Sequence, residues 1–411
     1  MARASTGKSR GVGSRIGLPL KILVGGLLVL LILIILNAFA LNNETESAEL
    51  TVPGAELVET TSGQLQVLDT GEPKDAAIAL PPGAGASVTG AQRIPIVLIH
   101  GSAGAINWWD DLIPLLESNH RVIAIDMLGY GGSDKPDSDY SIETQANLVA
   151  QVMSKLKVPP AVVVGHSLGG KVVTSVAERS PDLVEGLVLI DTAPDSSFGG
   201  LSGGARASRT PLLGQALWRI APDAMVRRNV SQGFAPDYDV PDKYVEDVRA
   251  MTYPAYKKSA EEGEKYTEDE SLPDRLTAVD KPLMVIFGAE DQIYDAREAL
   301  SEYAAIPNAE TLLIPVSGHS PQVEAPEETA AAIEGFTLGI AEEQAAKAAS
   351  ERAARRAKAR ARAKAAKAKA KAAKAKIRAA RQAANSKTEP RPQQKKNPGQ
   401  QAQAGNQQGN Q

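Results

Sequence analysis

The sequence has no cysteine among its 411 residues. Disulfides, thiol nucleophiles and Cys-based metal sites are therefore excluded. Histidine is nearly as scarce: His100, His120, His166 and His319 are the whole supply. Any imidazole chemistry must come from these four. The formal charge of −4 hides a strong asymmetry. Residues 1–21 carry five bases, Arg3, Lys8, Arg10, Arg15 and Lys21. Residues 347–396 carry 19 Lys/Arg against only Glu351 and Glu389. The stretch between, residues 22–346, holds 21 bases against 47 acids. Opposed blocks of this size point to separate jobs for the body and the tail.

The chain is too long for one typical domain and long enough to bury a large core. Residues 1–21 form a basic segment that reads as cytoplasmic. Residues 22–41 are apolar apart from Asn37 and the pair Gly25–Gly26. Twenty helical residues span about 30 Å, the thickness of a bilayer core. Bases precede this run, and Glu44, Glu46 and Glu49 follow it. The positive-inside rule then sets a single-pass anchor with the bulk of the chain outside the cytoplasm. The alternative is a signal peptide cleaved at Ala38-Phe39-Ala40, which would release a secreted protein.

Residues 42–55 read as a linker, and residues 56–340 as the folded domain. Leu57–Thr60 and Gln64–Asp69 are expected strands, followed by a long Pro/Gly-rich loop over 71–93. Apolar runs then recur at Ile94–Ile99, Arg121–Ile125, Ala161–Val164, Gly186–Ile190, Leu283–Phe287 and Thr311–Ile314. Continuous Val/Ile/Leu runs suit strands buried on both faces. Helical stretches over 141–157, 170–179 and 325–338 separate some of them. The alternation predicts an α/β fold with a mostly parallel sheet flanked by helices. Between Ile190 and Leu283 lies more chain than one crossover needs. Residues 195–275 are expected to form a helical cap over the sheet edge, with a Ser/Gly-rich hinge at 196–204. Residues 341–384 are rich in Ala, Lys and Arg, so they favour helix but have no apolar face to bury. Residues 385–411 are expected to be disordered.

The chemistry centres on Val162-Val163-Val164-Gly165-His166-Ser167-Leu168-Gly169-Gly170. This is a strand, then G-x-S-x-G, then a helix. The turn is tight enough to strain the backbone of Ser167 and to leave no room for side chains at Gly165 and Gly169. Ser167 is pushed into the open, and the amide of Leu168 is aimed at a developing oxyanion. A hydroxyl nucleophile needs a base. In the order Ser, acid, His, only His319 lies downstream, after the strand Thr311–Ile314. His100 sits at a strand–loop junction. His166 adjoins the nucleophile with its side chain directed elsewhere. His120 reads as a surface residue. The acid is expected after the strand Leu283–Phe287. Asp291 is the choice there, with Glu290 and Asp295 as neighbours and Asp191, one strand earlier, as a distinct rival. The second oxyanion donor is assigned to the amide of Ser102, with Ala103 next. Trp108 and Trp109 are expected to pack the first helix of the fold. The Gly-rich loop Asp126–Ser133 lacks the Lys-Ser/Thr of a phosphate loop and reads as a structural turn.

His100-Gly101, the loop Asp126–Ser133, Gly165–Gly170, Gly288–Asp291, and Gly318-His319 with Glu324-Ala325-Pro326 together resemble the α/β-hydrolase superfamily. The resemblance covers roughly residues 57–338 and is to the branch with a helical cap between the sixth and seventh strands. It implies acyl-transfer chemistry with neither cofactor nor metal. Members with an Asp nucleophile, the haloalkane dehalogenases and epoxide hydrolases, are disfavoured by Ser167. Esterases, lipases, carbon–carbon bond hydrolases, peptidases and cofactor-free haloperoxidases all share the ordered set. The expectation is a membrane-anchored serine hydrolase acting on a small apolar ester-like substrate. A non-catalytic binding or envelope-scaffold protein on the same fold is the rival from another class. The basic tail is expected to bind anionic lipid or an envelope polymer, and the oligomeric state is left open.

Overall fold

The computed structural model describes residues 18–73, 93–198 and 207–386. The segment before Leu18, most of the loop over 71–93, most of the hinge over 196–204 and the tail beyond Ser386 lie outside the described residues. The chain divides into two compact units, Met1–Gln344 and Ala345–Gln411.

The first unit is organised by one eight-stranded sheet. Its strands are β1 Glu56–Thr60, β2 Gly63–Asp69, β3 Ile96–Ile99, β4 Val122–Ile125, β5 Ala161–His166, β6 Val184–Ile190, β7 Leu283–Gly288 and β8 Ala309–Ile314. They lie in the order β1-β2-β4-β3-β5-β6-β7-β8. The first hairpin is antiparallel, and β2 joins β4 antiparallel. Every other pairing is parallel. Each run predicted as a strand is one, to within three residues at its ends.

Successive side chains of a strand point to opposite faces, so each central strand feeds two cores. On one face Ile99, Val163 and Leu189 pack under the helices Ile142–Lys155 and Leu168–Arg179. On the other, Leu98, Val164 and Ile190 pack against Ile333, Phe336 and Ile340. Strands sealed on both faces explain why these runs are continuous rather than alternating. The helix Ile142–Lys155 starts at Ser141, whose side chain accepts a hydrogen bond from the Thr144 amide. That is an N-cap, which satisfies one amide that the helix leaves unpaired.

Between β6 and β7 the described chain forms helices Leu213–Ile220, Asp223–Val230, Asp242–Arg249, Tyr253–Asp269 and Leu272–Val279. The last buries Leu272 and Leu276 in the sheet-side core, as a crossover helix does. The Gly-rich loop after β4 is a structural turn. Buried Asp126 accepts from the amides of Ile106 and Gly132 and from Gln66, and Ser133 donates to the Asp126 carbonyl. His120 is buried, with Nδ1 bonded 2.8 Å from the Ile94 carbonyl, so the surface reading is corrected.

The N-terminal helix runs Leu18–Asn42, four residues longer at its start than the apolar run alone suggests. Among the described residues it is the helix long and apolar enough to cross a membrane. Its side chains are largely exposed up to Leu36, but Ala38 and Leu41 are buried. The C-terminal helix spans Pro326–Ser386 and takes in both stretches expected to be helical, 325–338 and 341–384, to within one residue at its start. Ala, Lys and Arg all favour helix, and nothing after residue 338 stops it. In the second unit, its described side chains through Asn385 are all exposed.

Candidate active site

In this fold, residues that need reach into a cleft sit at the carboxyl ends of the parallel strands. β5 ends at His166 and the next helix begins at Leu168, so Ser167 stands alone in the turn. Its backbone has φ +49° and ψ −113°. That is a strained conformation for a residue with a side chain. The Ser167 amide donates to the Ile190 carbonyl at 2.8 Å, and the Ser167 carbonyl accepts from Gly170 N at 3.0 Å and Thr192 Oγ1 at 3.1 Å. These bonds hold the turn against its strain. A side chain at Gly165 would run into the Gly169 carbonyl, and one at Gly169 into the Ile99 carbonyl of β3. Both glycines are there for close approach.

Leu168 is the first residue of its helix, so its amide has no intrahelical acceptor. The loop after β3 passes beside it. A Cβ on Gly101 would lie 3.2 Å from Ser167 Cβ and 2.6 Å from His166 Nδ1. Gly104 N donates to the Gly101 carbonyl at 3.1 Å, so Ser102 and Ala103 form the tip of a turn, with Ala103 at φ +59°. Ser102, Ala103 and Ser167 line one cavity. His100 pins this loop. Its Nδ1 bonds the Gly101 carbonyl and its Nε2 accepts from Met127 N at 3.0 Å. Burial pushes its pKa down to about 4, which keeps the ring neutral for both bonds.

His319 follows β8 and lines the same cavity as Ser167. Its Nδ1 lies 2.8 Å from Asp291 Oδ2. The other carboxylate oxygen, Oδ1, accepts from the amides of Ile293 at 2.7 Å and Tyr294 at 3.1 Å. Burial pushes the Asp291 carboxyl up, but His319, then the Ile293 amide and the Asp191 side chain, outweigh it and hold it below its ordinary value. The acid is thus charged where it meets the imidazole. Asp191 behaves oppositely. It is fully buried, Oδ1 accepts from Gly288 N at 3.1 Å, and Oδ2 has no partner. Burial, then the charge of Asp291, pushes its carboxyl well above its ordinary value, so a second negative charge beside Asp291 is disfavoured. Of the two rival acids, Asp291 is the one bonded to His319. Glu290 and Asp295 are not: Asp295 caps the helix Ala296–Tyr303 through the amides of Arg297 and Glu298.

Ligand atoms of Asp191, Asp291 and His319 lie within 4.8 Å of one another. As a cation site this set is poor. One imidazole nitrogen is committed to Asp291, and burial disfavours the charged form of Asp191.

Several residues around the site gave no sequence signal. His166 Nε2 bonds the His319 carbonyl at 2.7 Å, and its ring lies 5.2 Å from the His319 ring. Its side chain turns to the His319 loop and supports the His319 backbone. Burial, then His319, pushes its pKa down to about 3, so it stays neutral and its Nε2–H can donate. Glu324 accepts from the amides of Gly318, Ser320 and Ala235, which ties the His319 loop to the segment before Asp242. Tyr294 packs edge-on against His319 at 5.2 Å. Trp109 is core as expected, but Trp108 lines the cavity and stacks on His166 and Phe234. Its indole donates to Asp247 Oδ2 at 2.9 Å, from a helix more than a hundred residues away. Lys171 also lines the cavity and donates to the Gly263 carbonyl and Thr267 Oγ1. Burial pushes its pKa down to about 8. The cavity measures about 1030 Å³ and is walled by side chains from helices inserted between β6 and β7, among them Leu217, Trp218, Val226 and Tyr256.

Asp247 supplies a test of this wiring. Burial pushes its carboxyl up to about 7, against about 4 for an unfolded Asp. Between those values the folded protein binds the extra proton, so stability falls as pH rises from about 4 to 7. Asp247→Asn mimics the protonated form. The urea midpoint is expected to drop less between pH 5 and pH 8 in the variant than in the wild type. Equal drops would show that Asp247 carries none of the dependence.

Comparison with known proteins agrees with the geometry. The family model for the alpha/beta hydrolase fold matches residues 94–326. An uncharacterized protein of Mycobacterium tuberculosis is 28% identical over 242 residues, covering 55% of this chain and 70% of its own. The 2-hydroxy-6-oxo-6-(2'-aminophenyl)hexa-2,4-dienoic acid hydrolase of Metapseudomonas resinovorans is 28% identical over 251 residues, covering 59% of this chain and 83% of its own. An esterase from Exiguobacterium antarcticum superposes with a TM-score of 0.54 at 19% identity, covering 69% of this chain and 98% of that one. At that identity the likeness is one of fold.

Proposed function

Since this chain belongs to the α/β-hydrolase family, we propose that it is a serine hydrolase that cleaves a small, moderately apolar ester through Ser167, His319 and Asp291. The observation that carries the reading is the 2.8 Å bond from His319 Nδ1 to a charged, buried Asp291, with His319 and the strained Ser167 opening on one cavity.

The chemistry follows from the parts. His319 Nε2 takes the proton of Ser167 Oγ as Oγ bonds to the ester carbonyl carbon. The carbonyl oxygen becomes an oxyanion, stabilised by the amides of Leu168 and Ser102; one such donor is worth about 3 kcal/mol of barrier. Asp291 keeps the Nδ1 proton in place and stabilises the imidazolium. The C–O bond to the alkoxide breaks as His319 returns the proton to it. Water, deprotonated by the same imidazole, then releases the acid from Ser167. With an activated p-nitrophenyl ester, acylation is expected to outrun this last step. The wild type should then release about one equivalent of p-nitrophenol per chain in a burst, and Ser167→Ala none. A burst that survives in Ser167→Ala would place the nucleophile elsewhere.

A second reading is favoured by the Metapseudomonas relative, whose substrate is a dienoic acid. The same serine could there serve cleavage beside a keto group rather than at an ester. A panel of short esters and vinylogous diketones separates the two by kcat/KM.

The helix Leu18–Asn42 is proposed as an uncleaved anchor, with the hydrolase domain outside the cytoplasm. Supporting this, Asn37 donates to the Gln215 carbonyl at 3.2 Å and Gln215 donates to Asn42 at 3.0 Å. Cleavage after Ala40 would discard Asn37 and the buried Ala38. Intact mass of the mature protein tests it: retention of residue 18 onward is expected. The basic tail is proposed as a polyanion binder. With the anchor already seated in neutral nanodiscs, removing 345–411 is expected to lower the capture of added anionic vesicles by at least tenfold at low salt and to abolish its salt dependence. Unchanged, salt-insensitive capture would refute this.

A further inference from the structure

The helix Leu213–Ile220 shows a face that a water-soluble hydrolase has no use for. Leu213 and Ile220 are 48% and 72% exposed, and Leu212 and Met225, beside them, are 41% and 50% exposed. Leu213, Ala216 and Ile220 stand at i, i+3 and i+7, one stripe of the helix. Among the described residues, eight large apolar side chains outside Leu18–Asn42 are exposed, and these four make up half of them. Scattered exposed apolar residues are normal; a cluster of this kind marks a surface that something covers.

What covers it is indicated by its neighbour. The opposite side of the helix, through buried Gln215, is bonded to Asn37 and Asn42 in the last turns of Leu18–Asn42. Arg219 pairs with Glu44, two residues past that helix, and Glu44 also accepts from the Tyr253 amide. If residues 22–41 fill the roughly 30 Å apolar layer, their last turn lies at the headgroup level. The stripe, on the other side of the short helix bonded there, is then held near the same depth. The cavity that holds Ser167 is lined by Glu44 and Glu46 and by Leu217, Arg219 and Met225 from the same helices. Its wall and the membrane-facing stripe are two sides of one element.

We infer that the helix Leu213–Ile220 lies in the outer membrane interface and that the cavity takes its substrate from that leaflet, an amphiphilic ester whose acyl chain is dissolved in the bilayer. The interface stripe of Leu213 and Ile220 touches lipid, while Leu217 and Trp218 carry the chain on toward Ser167. Both halves of this inference rest on the anchor reading, and the substrate half rests on the serine-hydrolase reading as well.

The absence of cysteine makes the docking directly measurable. Ile220→Cys in the full chain, labelled with the fluorophore NBD and placed in nanodiscs of phosphatidylcholine and phosphatidylglycerol, is expected to emit blue-shifted light that doxyl lipids quench. Emission insensitive to doxyl lipid overturns the proposal, including a blue-shifted but unquenched emission, which would assign the stripe to a protein partner or a second copy. The substrate half is read with the variant Leu213→Glu/Ile220→Glu. Its hydrolysis of water-soluble p-nitrophenyl butyrate should stay within twofold of wild type. Its hydrolysis of a fluorogenic palmitoyl ester dissolved in the same discs should fall at least tenfold. Equal rates on the palmitoyl ester overturn the proposal. A wild type that cleaves neither ester rejects the hydrolase reading instead, and the quenching result then decides the docking alone.

Discussion

Ser167→Gly is expected to yield a protein that is inactive and more stable than the wild type. The loss should be about 10⁴- to 10⁶-fold in kcat, since the nucleophile is gone and only binding and the oxyanion donors remain. The gain comes from the backbone. Ser167 sits at φ +49°, ψ −113°. Such conformations cost about 1–3 kcal/mol for a residue with a Cβ and almost nothing for glycine. Part of that gain is offset by the extra freedom of glycine in the unfolded chain, so a net of about 1 kcal/mol is reasonable. In a folded unit of this size that is a rise of about 1.5 °C in Tm. Ser167→Ala, by contrast, should be equally inactive and no more stable, because alanine inherits the strain. If the glycine variant is less stable than the alanine variant, the turn is not strained in the way its dihedral angles imply. The comparison is made by differential scanning fluorimetry on both variants in one buffer.

Asp291→Asn should lower kcat by about 10⁴-fold with little change in fold. The amide oxygen can still accept from Ile293 N and Tyr294 N, the two bonds now made by Oδ1. The amide nitrogen, however, presents hydrogens to His319 Nδ1. The ring then carries its proton on Nε2 and cannot accept one from Ser167. Asp191→Asn is expected to cost less than about tenfold. Burial already disfavours the charged form of Asp191, and an amide of the same shape keeps an oxygen for the Gly288 amide. Comparing kcat for the two variants decides between them. Equal losses would make the carboxylates a coupled pair, with no single acid in the role.

The sequence carries the fold in a local form. Runs such as Ile96–Ile99 and Ala161–His166 must be continuous because their sheet is covered on both faces, and that pattern needs no knowledge of partners. The elbow is legible for the same reason: Gly165, Ser167 and Gly169 do their work within five residues. His319 was found by elimination among four histidines. What stayed hidden depends on contacts between distant segments. Trp108 is aimed by Asp247, and His166 props the His319 carbonyl from 153 positions away. Gln215 meets the end of the N-terminal helix across more than 170 residues. No periodicity or spacing records such pairs. The sequence favours Asp291, after Leu283–Phe287, but leaves Asp191 open as a rival. Both follow a strand at the right edge of the sheet, and the bond to His319 Nδ1 and the opposite pKa shifts separate them.

The central claim is that Ser167 is a nucleophile activated by His319. A fluorophosphonate tests it with no knowledge of the natural substrate, because its phosphorus bonds the activated hydroxyl and loses fluoride. Incubating the full-length wild type with the probe and sequencing the labelled peptide by mass spectrometry should give one adduct per chain, on Ser167. His319→Ala should label at least a hundredfold more slowly, and Ser167→Gly not at all. A folded wild type that takes up no probe, or takes it up at another residue, would contradict the account.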